Sequence, residues 1–324
     1  MSVPLSVLDL AYVGPGESVS SSLEGSVLLA QRAEALGYRR VWYAEHHNIE
    51  SIASSSPAVL IAHVAAHTKS IRLGAGGVML PNHAPLVIAE QFGTLAALHP
   101  DRIDLGLGRA PGSDTTTWRA LRRDPRASES FPQDVLELQG YLSGDTRVPH
   151  VHATPGRGTR VPLYILGSST FGAQLAARLG LPFAFASHFA PASLFDAIRI
   201  YRAEFKPSAQ LERPHLLVGV NVIAADTEAE ALRHRAARLR AFVRALFSPP
   251  GHRLSDAEVE AVLGMPQAAA VEQMLKYTAL GPPAAVRAWL DEFVEKTGAD
   301  ELIVAHQTET VESRLRSLEL LASA

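Results

Sequence analysis

Residues 71–109 read IRLGAGGVMLPNHAPLVIAEQFGTLAALHPDRIDLGLGR, and a strand–helix–strand unit is legible in them. Short apolar runs at 71–80 and 102–109 have strand length, and between them Phe92, Leu95 and Leu98 recur at helical spacing. The same alternation extends in both directions. Strands are expected at 5–13 and 40–46 before this unit, and at 163–168, 183–188, 216–224 and 301–306 after it. Leu194, Ile198, Tyr201 and Phe205 share one helical face, as do Leu232, Ala236, Leu239, Val243 and Leu246. Val311, Leu315 and Leu318 form a last stripe. Asp226-Thr227 ahead of Glu228 and Glu230 marks a helix start, since acidic groups suit the positive end of the helix dipole.

Regular β-then-α alternation implies a parallel sheet buried under helices. About eight units fit 324 residues, which favours closure into a (β/α)8 TIM barrel over an open doubly wound sheet. The expectation is an α/β fold forming one domain over residues 1–324. Two stretches break the rhythm: 145–160, rich in Pro, Gly and Arg, and 248–283, a Pro-punctuated insertion before the last helix–strand pair.

Composition narrows the chemistry. With Lys+Arg 30 against Asp+Glu 33, no basic excess points to nucleic acid. There is no cysteine, which removes disulfides, thiolate metal sites and a cysteine nucleophile. The first residues lack the basic start of a signal peptide, and no apolar run approaches the ~20 residues of a membrane span. A soluble cytoplasmic protein is expected.

In a barrel, chemistry belongs where strands end. The second strand ends Glu45-His46-His47, suited to proton transfer near neutral pH or to a hydrogen-bonded structural cluster. Adjacent histidines lack the i, i+4 spacing of a helical zinc site. The third strand carries Gly74, Gly76 and Gly77 and leads to His83, and glycine inside a strand marks a bulge or a close-approaching ligand. Met79 stands where a dinucleotide fingerprint needs its third glycine, and Pro111 does the same after Gly106 and Gly108, so both fingerprints fail. Arg109 at the end of the fourth strand suits an anion, or else a surface ion pair. Gly167-Ser168-Ser169-Thr170-Phe171-Gly172 opens the helix after the fifth strand, either as a phosphate cradle or as ordinary capping. Two anion-friendly strand ends together point to a phosphate-bearing cofactor. Asp9, His47, His83, His188 and Asn221 are the polar candidates for a substrate pocket, Asp9 equally as a buried, hydrogen-bonded carboxylate, and no metal is expected. His150-Val151-His152 lies in a loop rather than at a strand end, and the arginines of 233–244 occupy the polar face of an amphipathic helix.

Residues 44–47, 76–83, 102–109 and 167–169, in this order, resemble the motifs of the bacterial luciferase-like, flavin-dependent monooxygenases, and the resemblance runs to 297–301. It implies a barrel that takes reduced FMN from a separate flavin reductase and reacts it with O2. The resulting peroxyflavin oxygenates a small organic substrate. His46, with Glu45 beside it, falls at the reaction site, for proton transfer or stabilisation of that intermediate. Arg109, Ser168 and Ser169, with Gly167 and Gly172, fall at the FMN phosphate. Gly76 and Gly77 run under the flavin ring, joined by a non-prolyl cis peptide. Gly108 replaces a reactive cysteine of the light-emitting enzyme. The resemblance also implies a homodimer, expected here through Ala58, Ala62, Ala65 and Ala66 on the second helix and Phe92, Leu95 and Leu98 on the third. Residues 248–266 are expected to act as a lid. Competing functions are deazaflavin-dependent hydride transfer, a non-catalytic flavin-binding homologue and a metal-dependent hydrolase on the same barrel.

Overall fold

The computed structural model describes residues 3–110, 115–249, 252–266 and 268–323. Its strands are β1 (Leu5–Asp9), β2 (Arg40–Tyr43), β3 (Arg72–Met79), β4 (Ile103–Gly108), β5 (Leu163–Gly167), β6 (Phe183–Phe185), β7 (Leu216–Ala224), β8 (Thr278–Gly281) and β9 (Glu301–His306). Every pairing between them is parallel. β1 to β7 follow one another in space, and β9 sits between β7 and β1, so eight strands close a barrel with helices outside. All eight expected strands are present. β8 is the addition. It lies inside the expected insertion and pairs Asn221–Ala224 of β7, beyond Leu216–Val218 where β6 is paired.

β1, β2 and β6 end well before their expected ranges do, β6 already at Phe185. β1 stops at Asp9 because its Oδ1 accepts from the Ala11 amide at 2.8 Å, and Ala11 turns to a φ of 48°. β2 stops at Tyr43, and the Glu45-His46-His47 stretch runs on as irregular backbone.

Alternation along the strands builds two cores. In β7, Leu217 faces the barrel interior with Leu8, Trp42, Tyr164 and Ile303, while Leu216 and Val218 face the helices. The N-terminal half of the interior holds a buried ionic cluster that the sequence reading did not single out. Arg40 donates to Asp104 Oδ2 at 2.6 Å, to the Tyr164 hydroxyl at 2.7 Å and to Glu301 Oε2 at 3.1 Å. Burial alone would push the guanidinium down, but Asp104 and Glu301 hold it above its usual range. Such a cluster survives burial only because each charge meets opposite charges and hydrogen bonds. It supports Trp42, whose Nε1 donates to Asp104 at 3.3 Å.

Helix starts follow the local chemistry. Thr227 caps the helix Glu228–Phe247 by accepting from the Glu230 amide at 3.2 Å, and Pro57, Pro85 and Pro283 open others. The arginines of Glu228–Phe247 are not simply solvated. Arg240 and Arg244 pair with Glu260 and Asp256 of the insertion, and Arg238 reaches the Tyr12 hydroxyl. On the apolar face only Val243 is fully buried, whereas Leu232 and Leu246 are exposed. The insertion forms helices Asp256–Leu263 and Ala268–Met274. Their Val259 and Val271 pack with Val243 and Leu254 in a small core of their own. Within the expected lid 248–266, Pro250 and Gly251 lie outside the described residues.

Candidate active site

A cavity of about 400 Å³ opens at the C-terminal ends of the barrel strands. Its polar corner is built on β4 and β5. Arg109, just past β4, carries its guanidinium 3.9 Å above the Phe171 ring, and both line the cavity. Ser168 and Ser169 follow β5 and lead into the helix Thr170–Leu179. Ser169 occupies the N-cap in extended conformation, yet its side chain makes no capping hydrogen bond. The first-turn N–H groups of that helix have no partner within the helix and point their partial positive charge at the same corner. A Cβ on Gly172 would come within 3.2 Å of Phe183 and 3.3 Å of Gly167 Cα. The glycines thus let the helix N-terminus sit directly on the strand end.

Bare backbone forms a second wall. Gly76 lines the cavity, and a Cβ there would come within 2.9 Å of Leu8 and Trp42. The Gly76–Gly77 peptide is cis, as expected, and the β3–β4 register shifts between Ala75 and Val78. Gly77 does not line the cavity, and a Cβ there would meet Gly106 O at 2.7 Å and Leu166 at 3.2 Å.

His46 and His188 line the cavity. Burial, and secondarily the neighbouring His46, lower the His188 imidazole to about 4. Its Nδ1 is buried without a hydrogen-bond partner. It lies so close to Gly219 that a Cβ there would be 2.4 Å away.

Four expected pocket residues and one expected catalytic residue lie elsewhere. Along extended backbone successive side chains point to opposite faces, so His46 turns in while Glu45 and His47 turn out. Glu45 is fully buried and does not touch the cavity. It accepts from His47 Nε2 at 3.0 Å, His83 Nε2 at 2.9 Å, Asn82 Nδ2 at 3.2 Å and the Met79 amide at 3.0 Å. Burial raises this carboxyl, and the two histidines and the Met79 amide reverse that, holding it at about 2. The expected pair His47 and His83 thus belongs to a clamp behind the wall, and Glu45 positions Met79, which does line the cavity. Glu45→Gln should cost about 1–3 kcal/mol of stability in a urea melt, through weakened charge-assisted hydrogen bonds. An unchanged unfolding midpoint would refute the clamp. Asp9 alternates with Leu8 and Leu10, which line the cavity, so its carboxylate faces outward to Ser26 Oγ at 2.6 Å. Asn221 is buried behind the wall, donating to His188 O at 2.6 Å and accepting from Gln307 Nε2 at 2.7 Å.

Several lining residues escaped the sequence reading. Gln307 follows β9 directly, so the strand-end rule was sufficient to find it. Tyr12 comes from the loop after β1, Phe242 from the helix Glu228–Phe247 and Met274 from the insertion, and no spacing betrays them. Arg238 binds two of these together, 4.2 Å from the Tyr12 ring and 4.4 Å from Phe242. Among the described residues no group of three or more His, Cys, Asp or Glu could hold a metal ion, and no helix is long and apolar enough to cross a membrane.

The buried groups fix an acid response. Desolvation lowers His306 to about 3, as it lowers His188 to about 4, and Glu45 is also depressed. A folded value below the unfolded one means that stability is fully present above the unfolded value and is lost as pH falls. The histidines act from about pH 6.5 downward and Glu45 from about 4.3. The melting temperature should therefore fall steadily below pH 6.5; a flat profile from pH 7 to 4 would contradict the burial of these imidazoles.

The luciferase-like monooxygenase family model matches residues 3–301. The chain is 47% identical over 320 residues to a luciferase-like monooxygenase of Escherichia coli, covering 98% of this chain and 96% of the relative. It is 39% identical over 243 residues to the N-acetyl-S-alkylcysteine monooxygenase of Bacillus subtilis, covering 73% of this chain and 72% of that one. The crystal structure of apo-MsnO8 superposes with a TM-score of 0.88 at 38% identity, over 99% of this chain and 98% of the other. The fold is shared more distantly, at a TM-score of 0.72 for each, by two further structures. One is the FMN complex of the oxygenating constituent of Pseudomonas putida 3,6-diketocamphane monooxygenase, 16% identical over 99% of this chain and 97% of the other. The second is an F420-dependent secondary alcohol dehydrogenase, 15% identical over 99% and 98%. With the barrel, the cavity at its strand ends and these matches in agreement, the chain belongs to the luciferase-like monooxygenase family.

Proposed function

We propose that the protein is a two-component, FMN-dependent monooxygenase of the cytoplasm that draws reduced FMN from a separate flavin reductase and oxygenates a small organic substrate. The observation that carries this reading is the convergence of Arg109 and the uncapped helix N-terminus at Ser169 on one corner of a largely apolar cavity. That corner fits a phosphate dianion, by charge from the guanidinium and by N–H donors from the helix. The bare backbone of Gly76 and the apolar faces around it fit a flat ring system. Reduced FMN, when bound, supplies the electrons that activate O2 for transfer of one oxygen atom. His46 holds or delivers a proton at its imidazole where that transfer occurs. Leu8, Trp42 and Phe242 keep bulk water from the same space. Anaerobic titration with reduced FMN, followed by oxygen and by a thioether or ketone panel, tests the proposal. Absence of FMN binding, or binding of a deazaflavin in its place, would overturn it.

A homodimer belongs to this proposal, with a changed contact set. Ala65, Phe92 and Leu95 are buried in the chain's own core and have nothing to offer a partner. On the same two helices, Pro57–Ala66 and Pro85–Leu98, Val59 is 71% exposed and Leu98 65%, with Val87 exposed as well. Apolar side chains exposed in this way mark an interaction surface. Light scattering at micromolar concentration should give a dimer, and Leu98→Glu should raise the dissociation constant at least tenfold. A monomeric parent protein would remove the dimer from the proposal.

A further inference from the structure

The cavity wall formed by β6, β7 and β9 carries two side chains, His188 and Gln307, whose hydrogen-bonding roles are fixed by their neighbours Gly219 and Asn221. The His188 carbonyl can only accept, so the Asn221 side-chain nitrogen must face it, at 2.6 Å. Asn221 Oδ1 is then an acceptor, and Gln307 must present its Nε2 there, at 2.7 Å. Gln307 Oε1 is left as a buried acceptor with no partner, on a side chain that lines the cavity. His188 is fixed by a different neighbour. Its Nδ1 abuts the Gly219 Cα, which offers only C–H, and no acceptor meets it. A bare Nδ1 suits that contact, so the ring proton sits on Nε2, at the opposite side of the imidazole. Burial keeps the ring neutral, lowering it to about 4. Buried polar atoms without partners are rare, and Gln307 Oε1, on a side chain that lines the cavity, marks where a ligand completes the hydrogen bonding.

We propose that Gln307 Oε1 and His188 Nε2–H form an uncharged acceptor–donor pair that selects substrates carrying a –CO–NH– group, the amide N–H going to Gln307 and the carbonyl oxygen to His188. This rests on the cavity being the active site of a monooxygenase, and it adds the substrate class. Neither group carries charge near neutral pH, so the pair reads a neutral amide edge rather than a carboxylate or an amine. Asn221 acts as the positioning residue, because it sets the orientation of Gln307 and anchors the backbone of His188.

The test uses the full chain and two probes of nearly equal shape, N-benzylacetamide and benzyl acetate, of which only the first carries an N–H. Affinities are measured by ligand-observed NMR with and without saturating FMN, and FMN affinity is measured separately. The wild-type protein should bind the amide about tenfold more tightly than the ester, the ratio one neutral hydrogen bond gives. Gln307→Met should abolish that preference without changing FMN affinity. His188→Phe should weaken both probes alike, since both present a carbonyl. Equal affinities in the wild type, or a preference that survives Gln307→Met, would overturn the proposal. So would a loss of FMN affinity in Gln307→Met with probe preference intact, because the pair would then be reading the –CO–NH– edge of the flavin itself. Nitrogen NMR of the unmodified protein decides the point without any variant, since a proton on His188 Nδ1 contradicts the assigned donor. Failure to bind FMN leaves the probe comparison standing, so the two readings fail separately.

Discussion

His46→Ala is expected to bind reduced FMN as the parent does and to lose about 10²–10⁴-fold in oxygenation rate, the range a positioned proton-transfer group contributes. The separation of the two effects follows from the geometry. His46 lines the cavity from the stretch after β2, whereas the phosphate corner is built on β4 and β5. Truncation to Ala removes the imidazole and leaves the backbone amide of residue 46 free to keep its 3.0 Å hydrogen bond to Ser54 O, so the loop has no reason to collapse. The measurement is single-turnover oxygenation at saturating reduced FMN, alongside a direct affinity titration. Parental rates in the variant would mean that the proton is handled elsewhere. His188 is then the residue to replace, because His47 and His83 are committed to Glu45 behind the wall.

Arg109→Ala should weaken reduced FMN far more than reduced riboflavin, by roughly ten- to a hundredfold in the ratio of the two affinities. Riboflavin keeps the ring and lacks the phosphate, so the ratio isolates the corner where Arg109 and the Thr170–Leu179 helix meet. A charge-assisted hydrogen bond contributes about 1.5–3 kcal/mol, which sets that range. Arg109→Lys should recover only part of the loss. An ammonium is a point charge that cannot reproduce the guanidinium fork, and it stacks less well on the Phe171 ring 3.9 Å below. An unchanged ratio in Arg109→Ala would remove Arg109 from the phosphate site and leave the helix terminus as its sole anchor.

The strands were readable because their apolar runs are short and alternate with helical stretches, and burial on both faces leaves them no other role. β8 was not readable: its four residues, Thr-Ala-Leu-Gly, carry no strand signal, and they pair only because β7 outruns β6 and leaves an open edge. Arg109, the Ser168-Ser169 turn and His46 were legible since a strand end names its own position. Glu45 and Asn221 were misplaced, and Asp9 was left open between pocket and buried carboxylate, for one reason. A strand-end rule gives height along the barrel but not which side of the wall a side chain takes, and a shift of one residue reverses it. The alternation of Leu8 and Leu10 around Asp9 held that information. Gln307 was reachable by the same rule, whereas Tyr12, Phe242 and Met274 meet only through tertiary packing, which no local pattern encodes.

The small core of the insertion has a consequence for how such an enzyme diversifies. Val243, Leu254, Val259 and Val271 are packed apart from the barrel's own interior, yet Phe242 and Met274 from the same region reach the cavity. Close-packed interiors transmit substitutions to their neighbours, and here the packing is divided into two compartments. Substitutions in the outer compartment should therefore be felt first at the entrance, while the strands, the ionic cluster around Arg40 and the Arg109 corner lie outside it. The shape of the entrance and the groups at the strand ends can thus vary separately within one chain.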